Sequence, residues 1–543
     1  MVKTVKECLE LYSRLSTTRT NWESLWIDTA KYFSPSKEGI TEIETYKGQR
    51  KGQHLHTSFG IKAVDEFASG MHNLLCDPTR KWFNFTVKDD DMMEEQEVKE
   101  YLDIVTETIL SELTADGSNF NEKMLEVFRD IAVFGTSGLY SYLSEDEDYL
   151  RFKVHGIKEL FLANDDDGKT DIMIRSFRLT SRQIINKWEK KQGATIPKAI
   201  QLKHEKDPFA EHEIIQVVYK NPNYIEGFGF EWLSKFIAVD AKEMIDQEGF
   251  ISFPVAIFQW NQVDSLNEVY SRSQAQKALT DIKKLNTIEK QKIIANEKNL
   301  NPPKSLPTNY FGNRTLDLRA GALNYFNANA MHNERAVQDL VNINPTALAH
   351  TVEDIEKLES EIREMFFHEH LRVLRDPRAT ATQVLTLQEQ GLRLMSPFSG
   401  TLQTTGLRPL LMRVFKLLEA KEILPERPEA LIDQDLLITF DNSAERISEK
   451  SQLQDLDNFM QRMSIPAEVK PEILDNIDFD EITKQLAKVT NIKKDIIKED
   501  DEVDEIREQR AEQQAQEQQM VNSERVIDSV AKVQGMEDTN AII

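Results

Sequence analysis

Apolar positions recur with helical spacing from the start of the chain. Leu15, Trp22, Leu25, Trp26, Ala30 and Phe33 fall close to one face and Pro35 ends the run, which predicts one amphipathic helix over the first 35 residues. Residues 36–58 are polar and contain glycine, which predicts a loop. The helical period returns at Ile61, Val64, Phe67, Ala68 and Met71, breaks at Pro78 and gives way to a strand in WFNFTV. Two more helices follow, one on Val98, Leu102, Val105, Ile109 and Leu113, the next on Phe120, Met124, Val127, Phe128, Ile131 and Phe134. The second runs into a turn at Gly135–Gly138, so residues 1–138 are expected to be mainly helical.

The period then changes. Between about 139 and 260, stretches such as DIMIRSFRL, EIIQVVYK and FEWLSKFIAV are rich in β-branched and aromatic residues and predict strands. Turn signals at Asn164–Gly168 and Asn221–Asn223 separate them, and SRQIINKWEK predicts a short helix capped by Thr180 or Ser181. Helical spacing resumes over 264–298 on Ala278, Ile282, Leu285 and Ile288, until Asn301-Pro302-Pro303 stops it. Such a helix would span roughly 50 Å at the usual rise. An irregular or β segment from Pro302 to Pro345 leads to a second long helix on Val352, Ile355, Leu358, Ile362, Met365 and Phe366, ending near Arg375-Asp376-Pro377. A third begins at Thr380, with Gln383 completing a capping box, and Pro397 and Pro409 should kink or interrupt it. Helical segments continue past Leu424-Pro425 to about Ile497, and the Glu/Gln-rich stretch 499–520 predicts a solvated helix before frayed residues after Gly535. The fold class read from these patterns is α+β, predominantly helical.

Composition adds limits. A chain of 543 residues, 40% hydrophobic with six Trp, buries a large core and is not globally disordered. Its length suggests about three or four domain-sized units. A net charge of −25 argues against a free nucleic-acid binder and suits either an ordinary soluble protein or a wall that DNA slides past without sticking. Cys8 and Cys76 form neither a disulfide framework nor a CxxC zinc pair. No stretch approaches the ~20 apolar residues of a membrane helix, and the N-terminus lacks a signal peptide's apolar core, so folding in a reducing cytoplasm is expected.

Catalytic signatures are missing from the sequence: no GxxxxGK[ST], GxSxG, HExxH or GxGxxG occurs. The NDDDG run ending at Gly168 fails the EF-hand spacing, with Ala163 and Ile174 at ligand positions, and reads as an acidic turn. His54 and His56 have no clear third ligand, His368 and His370 suit a helix end, and the acidic runs Asp89–Asp91 and Asp500-Asp501 read as solvated surface. No catalytic residue, metal or cofactor is expected.

Several stretches, in order, carry a resemblance. They are WIDTAKYFSP (Trp26–Pro35), AVDEFASGM (Ala63–Met71) leading to PTRKWF (Pro78–Phe83), and Ser118-Asn119-Phe120 with Phe134-Gly135-Thr136. EVYSRS (Glu268–Ser273) follows with Leu285-Asn286, then ATATQV (Ala379–Val384) with Gln388-Glu389, and LRPL (Leu407–Leu410). Over about residues 1–490 the chain resembles the head-to-tail connector (portal) family of short-tailed bacteriophages. It departs from the family where Ser271 stands for a frequent glycine and Gln383 for a frequent glutamate.

The resemblance implies a structural, non-enzymatic ring, usually of twelve subunits, at one capsid vertex, through which double-stranded DNA is packaged and ejected. Its implied partners are the packaging ATPase (terminase), a tail adaptor, capsid and scaffold proteins, with no membrane; it would assemble in the host cytoplasm and reside in the virion. It assigns a wing to 1–263 (helical 1–138, α+β 139–263), stem helices to 264–298 and 347–372, and a clip to 299–346. A tunnel loop takes 373–381, a long kinked helix returning to the wing 382–439, a crown 440–498, and an acidic Gln-rich helix or disordered tail 499–543. Twelve copies at −25 each would carry about −300, largely screened beyond a Debye length. Against that background Arg372, Arg375 and Arg378 at the tunnel loop, and Lys277, Lys283, Lys284, Lys290 and Lys292 on the first stem helix, are DNA-channel candidates. Asp281, Glu289 and Glu297 could instead pair with the lysines. Trp22, Trp26, Trp82 and Phe83 are expected in the core rather than at subunit contacts. Two other readings stay open at this point: a metal-dependent nuclease or packaging-related enzyme with an unrecognised site, and an internal scaffold or core assembly protein, against which the α+β block argues.

Overall fold

The computed structural model describes residues 4–39, 51–89, 92–93, 95–144, 149–225, 229–261, 268–308, 316–327, 338–340, 345–368, 394–431 and 434–440, with isolated positions beyond 480. The chain divides into two compact units, Met1–Ala444 and Glu445–Ile543. The described residues fall almost wholly in the first, so the expected crown and Gln-rich tail lie outside them.

The first unit opens with α1 (Val5–Phe33). Thr4 and Glu7 close a capping box at its start, so two of the end's orphan N–H groups are satisfied. Trp26, Ala30 and Phe33 are buried as the periodicity requires, while Leu15, Trp22 and Leu25 are half-buried. Next come α2 (Phe59–Leu75), strand β1 (Phe83–Thr86), α3 (Gln96–Thr114) and α4 (Phe120–Phe134), each burying the face that its apolar spacing defines. Gly135 ends α4 in the left-handed conformation at φ 83°.

Two β modules follow. Strands β2 (Thr136–Leu143), β3 (Leu150–His155) and β9 (Val255–Gln259) form an antiparallel sheet in the order β3-β2-β9, whose inner face joins the helical core through Leu139, Phe152 and Phe258. Strands β4 (Leu160–Asn164), β5 (Thr170–Thr180), β6 (Glu211–Lys220), β7 (Trp232–Ala238) and β8 (Glu243–Phe250) form a five-stranded antiparallel meander. The N-terminal half of α1 covers one of its faces through Cys8, Leu15 and Tyr12, against Phe161, Ile174, Ile215 and Val217. The other is covered in part by α5 (Ser181–Trp188) and α6 (Lys198–Lys206), packed through Ile184, Trp188 and Ile200. The cap of α5 is Thr180, in a capping box with Gln183. The acidic run is a hairpin turn, in which the Asp165 carboxylate accepts from the N–H groups of Asp167 and Lys169.

Three expectations need correction. The helix placed over 264–298 starts only at Gln274: residues 268–273 are not helical, and Ser273 caps the short α7 (Gln274–Lys277), which leads through Ala278 into α8 (Leu279–Leu300). The 22 residues of α8 span about 33 Å, not 50. The return helix, α9, covers Pro345–Met365 and ends in a turn with Phe367 at φ 55°, short of 372. The kinked helix of 382–439, described from 394, gives way to a π-helical turn at Gln403–Leu407, where Pro409 has no N–H for the Thr405 carbonyl, and resumes as α10 (Arg408–Glu419). It stops there. Pro425 and Pro428 bar continuation, and Leu437–Phe440 forms a strand, β13, antiparallel to β1. Strand β8 and α6 lay outside the expectations: β8 is largely polar and half-exposed, so it lacks an apolar run.

Trp26, Trp82 and Phe83 are buried in the main core, and Trp22 packs half-buried against it. Each fully buried large side chain contributes roughly 1.5–3 kcal/mol. Among the described residues no helix is long and apolar enough to cross a membrane.

The core also holds imidazoles. Burial lowers the pKa of His72 and His212, and pushes that of His155 well below the ordinary 6.5, with Arg175 and Lys153 adding to the effect. The unfolded chain therefore takes up protons that the fold refuses. Stability is fully present above 6.5 and is lost as the pH falls below it. The urea midpoint should fall between about pH 7.5 and 5.5, and less steeply in His155→Gln. An identical slope in the variant would remove His155 from the account.

Candidate functional site

The long helix α8 is rooted in the core by a set of polar contacts. Ser273 Oγ accepts from Gln276 N at 3.1 Å and donates to the Val133 carbonyl at 2.8 Å, while Ser271 N donates to Thr136 Oγ1 at 2.9 Å. The Tyr270 hydroxyl donates to Leu160 O and accepts from Leu162 N, and its ring meets Trp26 edge-on at 5.1 Å. Farther along, Asn286 accepts from His56 N at 2.7 Å and donates to His54 O at 3.1 Å, tying the loop at 51–58 to the helix. The His54 ring lies between the Lys31 carbonyl, 3.0 Å from Nε2, and the Glu38 carboxylate, 3.8 Å from Nδ1. No cluster of three or more potential metal ligands occurs among the described residues.

Past this root the helix changes character. Ile282, Leu285 and Asn286 are buried, whereas no residue of α8 from Thr287 onward is. Ile293 and Ile294 are about half exposed and Leu300 is 87% exposed. The helix ends in a three-stranded sheet with β10 (Lys304–Thr308) at its centre, parallel to β11 (Leu323–Asn327) and antiparallel to β12 (Gln338–Asp339). Leu316, Leu318, Leu323 and Tyr325 are exposed there. Helix α9 then returns along α8 and re-enters the core through Ile355, Ile362 and Phe366. Isolated apolar side chains on a surface are ordinary, but this concentration on one hairpin is not.

The candidate lysines of the first long helix are spread around it. Lys283 reaches Asp28 of α1 at 3.0 Å, Lys284 pairs with Asp281 at 3.1 Å and Lys292 with Glu289 at 3.6 Å. Two of the three acids named from sequence therefore take up lysines. Burial opposes ionisation of Asp28, but Lys283 and Lys31 more than offset it and hold its carboxyl below the ordinary range. Lys277 is exposed, with its ammonium 5.8 Å from the Phe398 ring. Lys290 is exposed and forms no ion pair with the described residues. Arg372, Arg375 and Arg378 lie outside the described residues, as do His370 and the Thr380–Gln383 box. His368, largely buried just past the end of α9, pairs with the exposed Glu66 at 2.8 Å.

Sequence reasoning quoted most residues of the root as family stretches but missed their common role of seating α8. Ser273-x-x-Gln276 is a capping box in plain view, obscured by starting the helix ten residues too early. Several of the stretches that carry the family resemblance meet here: Trp26, Gly135-Thr136, Tyr270–Ser273 and Asn286. The model of the bacteriophage head to tail connecting protein family matches residues 5–497. The chain belongs to this family. The connector is also similar to the portal protein of Salmonella phage epsilon15, 25% identical over 521 residues covering 94% of this chain and 92% of that protein. A probable portal protein of Bordetella phage BPP-1 is 25% identical over 544 residues, covering 98% and 96%. The chain is accordingly a portal connector: a structural protein, not an enzyme, and a virion component at the capsid vertex. Connectors work as oligomeric rings in contact with capsid, tail and packaging machinery.

Proposed function

We propose that twelve copies of this connector close a ring around double-stranded DNA, with α7–α8 and α9 as the stem pair and the β10–β12 sheet as the clip. The clip would meet the packaging ATPase and later the tail adaptor. In this reading residues 1–263 together with 382–439 form the wing, 373–381 the tunnel loop and 440–498 the crown. The ring would assemble in the host cytoplasm with capsid and scaffold proteins.

The observation that carries it is the hairpin: a helix rooted in the core whose outer half has no fully buried residue, tipped by a small sheet with exposed Leu316, Leu318, Leu323 and Tyr325. A neighbouring copy supplies the missing cover. Arg372, Arg375 and Arg378, with Lys277 and Lys290, are the basic groups assigned to the channel, where they would touch phosphates without reading sequence. Lys283, Lys284 and Lys292 carry partners within the subunit, which lessens their pull on DNA.

Electron microscopy of the purified chain, with its mass in solution, tests the ring. Rings with a central hole and a mass near twelve subunits are expected. The double variant Leu300→Asp, Leu323→Asp should give folded protein without rings, because two charges would be buried at each contact. Rings that persist unchanged in that variant would refute the assignment of this surface.

A further inference from the structure

The two β modules meet across a polar seam that the connector role leaves without a task. On one side the outer face of β2 and β3 carries Tyr140, Tyr142, Lys153 and His155, opposite the core residues Leu139 and Phe152. On the other, Arg175, Gln216, Phe236 and Asp246 form one cross-strand row of the five-stranded sheet, and Met173, Val218, Ser234 and Glu248 the next. From α5, Lys187 places its ammonium 4.8 Å from the Phe236 ring. Beyond the end of that helix, Lys191 bridges Asp246, at 2.6 Å, and Glu248.

The charges in this seam do not balance. Glu159 is engaged by Arg175 at 2.8 Å, and Asp246 and Glu248 are engaged by Lys191. Lys153 and Lys187 have no ion-pair partner among the described residues. Arg413, from α10, lies behind Tyr140 and is also without a carboxylate: its Nε donates to Ser141 O and its Nη1 to Ser252 O and Oγ, each at 3.1 Å. Its guanidinium stands 5.4 Å from the Phe250 ring. Burial pushes its pKa down to about 10. Polar groups in the same region include a buried bond from Gln216 Nε2 to Ser234 Oγ at 3.0 Å, and His155, stacked on Tyr140, whose buried Nδ1 has no hydrogen-bond partner.

The cations also lie close enough to repel one another. Burial lowers the pKa of Lys187, and Arg175, Lys191 and Lys153 lower it further against the pull of Glu248. Lys153 is lowered by burial and then by Arg175. Both side chains nevertheless reach solvent. Positive groups that are crowded by protein, open to water and uncompensated, in a chain of net charge −25, need a reason.

We propose that this seam is a binding site for a phosphate-type oxyanion, held by Lys153, Arg175 and Lys187. Glu159 already offsets Arg175, and one further carboxylate would leave one of the two lysines unpaired. A dianionic tetrahedral group offers several acceptors and two charges, which suits the two unpaired ammoniums, with the Arg175 guanidinium as a further donor. Two unpaired lysines and one arginine are few for tracking a backbone, so the site suits one phosphate group, whether free or at the end of a nucleotide, better than the length of a nucleic acid. This is separate from the channel assignment, which places DNA against other residues.

The test is titration calorimetry on the full chain with inorganic phosphate, against chloride at equal ionic strength, and in parallel with a short single-stranded oligonucleotide. Saturable phosphate binding is expected, weakened about tenfold or more in Lys153→Gln and in Lys187→Gln. Lys99→Gln, the same charge change on α3, should bind as the wild type does. Both seam lysines are exposed, and circular dichroism checks that the variants remain folded. Oligonucleotide binding with the same dependence on the two lysines would place the phosphate on nucleic acid and keep the site. No saturable binding of either probe, or an equal loss in Lys99→Gln, would overturn it.

Discussion

Gly135→Ala should destabilise the subunit by about 2–5 kcal/mol, the sum of about 1–2 for a side chain held in the left-handed region and about 1–3 for overpacking. The residue ends α4 at φ 83°, and a methyl group there would stand 2.1 Å from the Ser271 carbonyl oxygen. Both sides of that contact are fixed. The Gly135 carbonyl accepts from Trp260 N at 2.9 Å, and Ser271 N donates to Thr136 Oγ1. The substitution therefore pries the root of α8 away from the helical core. Urea unfolding of the two proteins measures the loss; a difference below about 1 kcal/mol would mean that the seam yields, and that the close approach is incidental.

Arg19→Ala should cost a comparable amount, about 3–5 kcal/mol, by leaving buried acceptors without a donor. The guanidinium is 4% exposed. Its Nη1 donates to the carbonyls of Ile157, Lys158 and Leu160 at 3.1, 3.3 and 2.8 Å, its Nε and Nη2 reach Glu23, and its plane lies 3.7 Å from the Phe161 ring. One side chain thus fastens the middle of α1 to the turn before β4. Lysine offers a point charge in place of a planar fork, so Arg19→Lys should recover little of the loss. Amide exchange over residues 5–18 is the local readout: protection there should fall in Arg19→Ala. Retained protection would show that the apolar contacts of Cys8, Tyr12 and Leu15 hold the helix unaided.

Gly135 showed in the sequence as the end of a helix but its contact with Ser271 did not, and Arg19 did not announce itself at all. A guanidinium on a helix reads as surface, and Arg19 is buried because the backbone turn at 157–160 points three carbonyls at it. Apolar spacing located the helical elements well: the stripes of α2, α3 and α4 are the buried faces observed. It overran where a cap was decisive, as at Ser273, and it missed the polar strand β8, which rests on its neighbour through backbone bonds. Family membership was legible because Trp26, Gly135-Thr136, Tyr270–Ser273 and Asn286 have one job together, seating α8. For the candidate lysines of α8, the partners within the helix were legible from spacing, whereas Asp28 on α1 required the fold. Lys153, Arg175 and Lys187 sit on β3, β5 and α5, and nothing in their spacing says that they share a seam.

Strand β13 has a consequence for how the subunit is made. It pairs with β1 in the register Phe83↔Phe440 to Thr86↔Leu437, so the edge formed near residue 85 waits for a partner some 350 residues downstream. At a bacterial ribosome adding about 5–20 residues per second, the partner emerges about 15–70 seconds later. Throughout that interval the strand holding Phe83 and Phe85 has an open edge, and Phe85 lacks the Phe415 ring that later lies 5.6 Å away. The nascent chain thus exposes a sticky edge for most of its synthesis, and host chaperones become a natural guard against aggregation before β13 closes it.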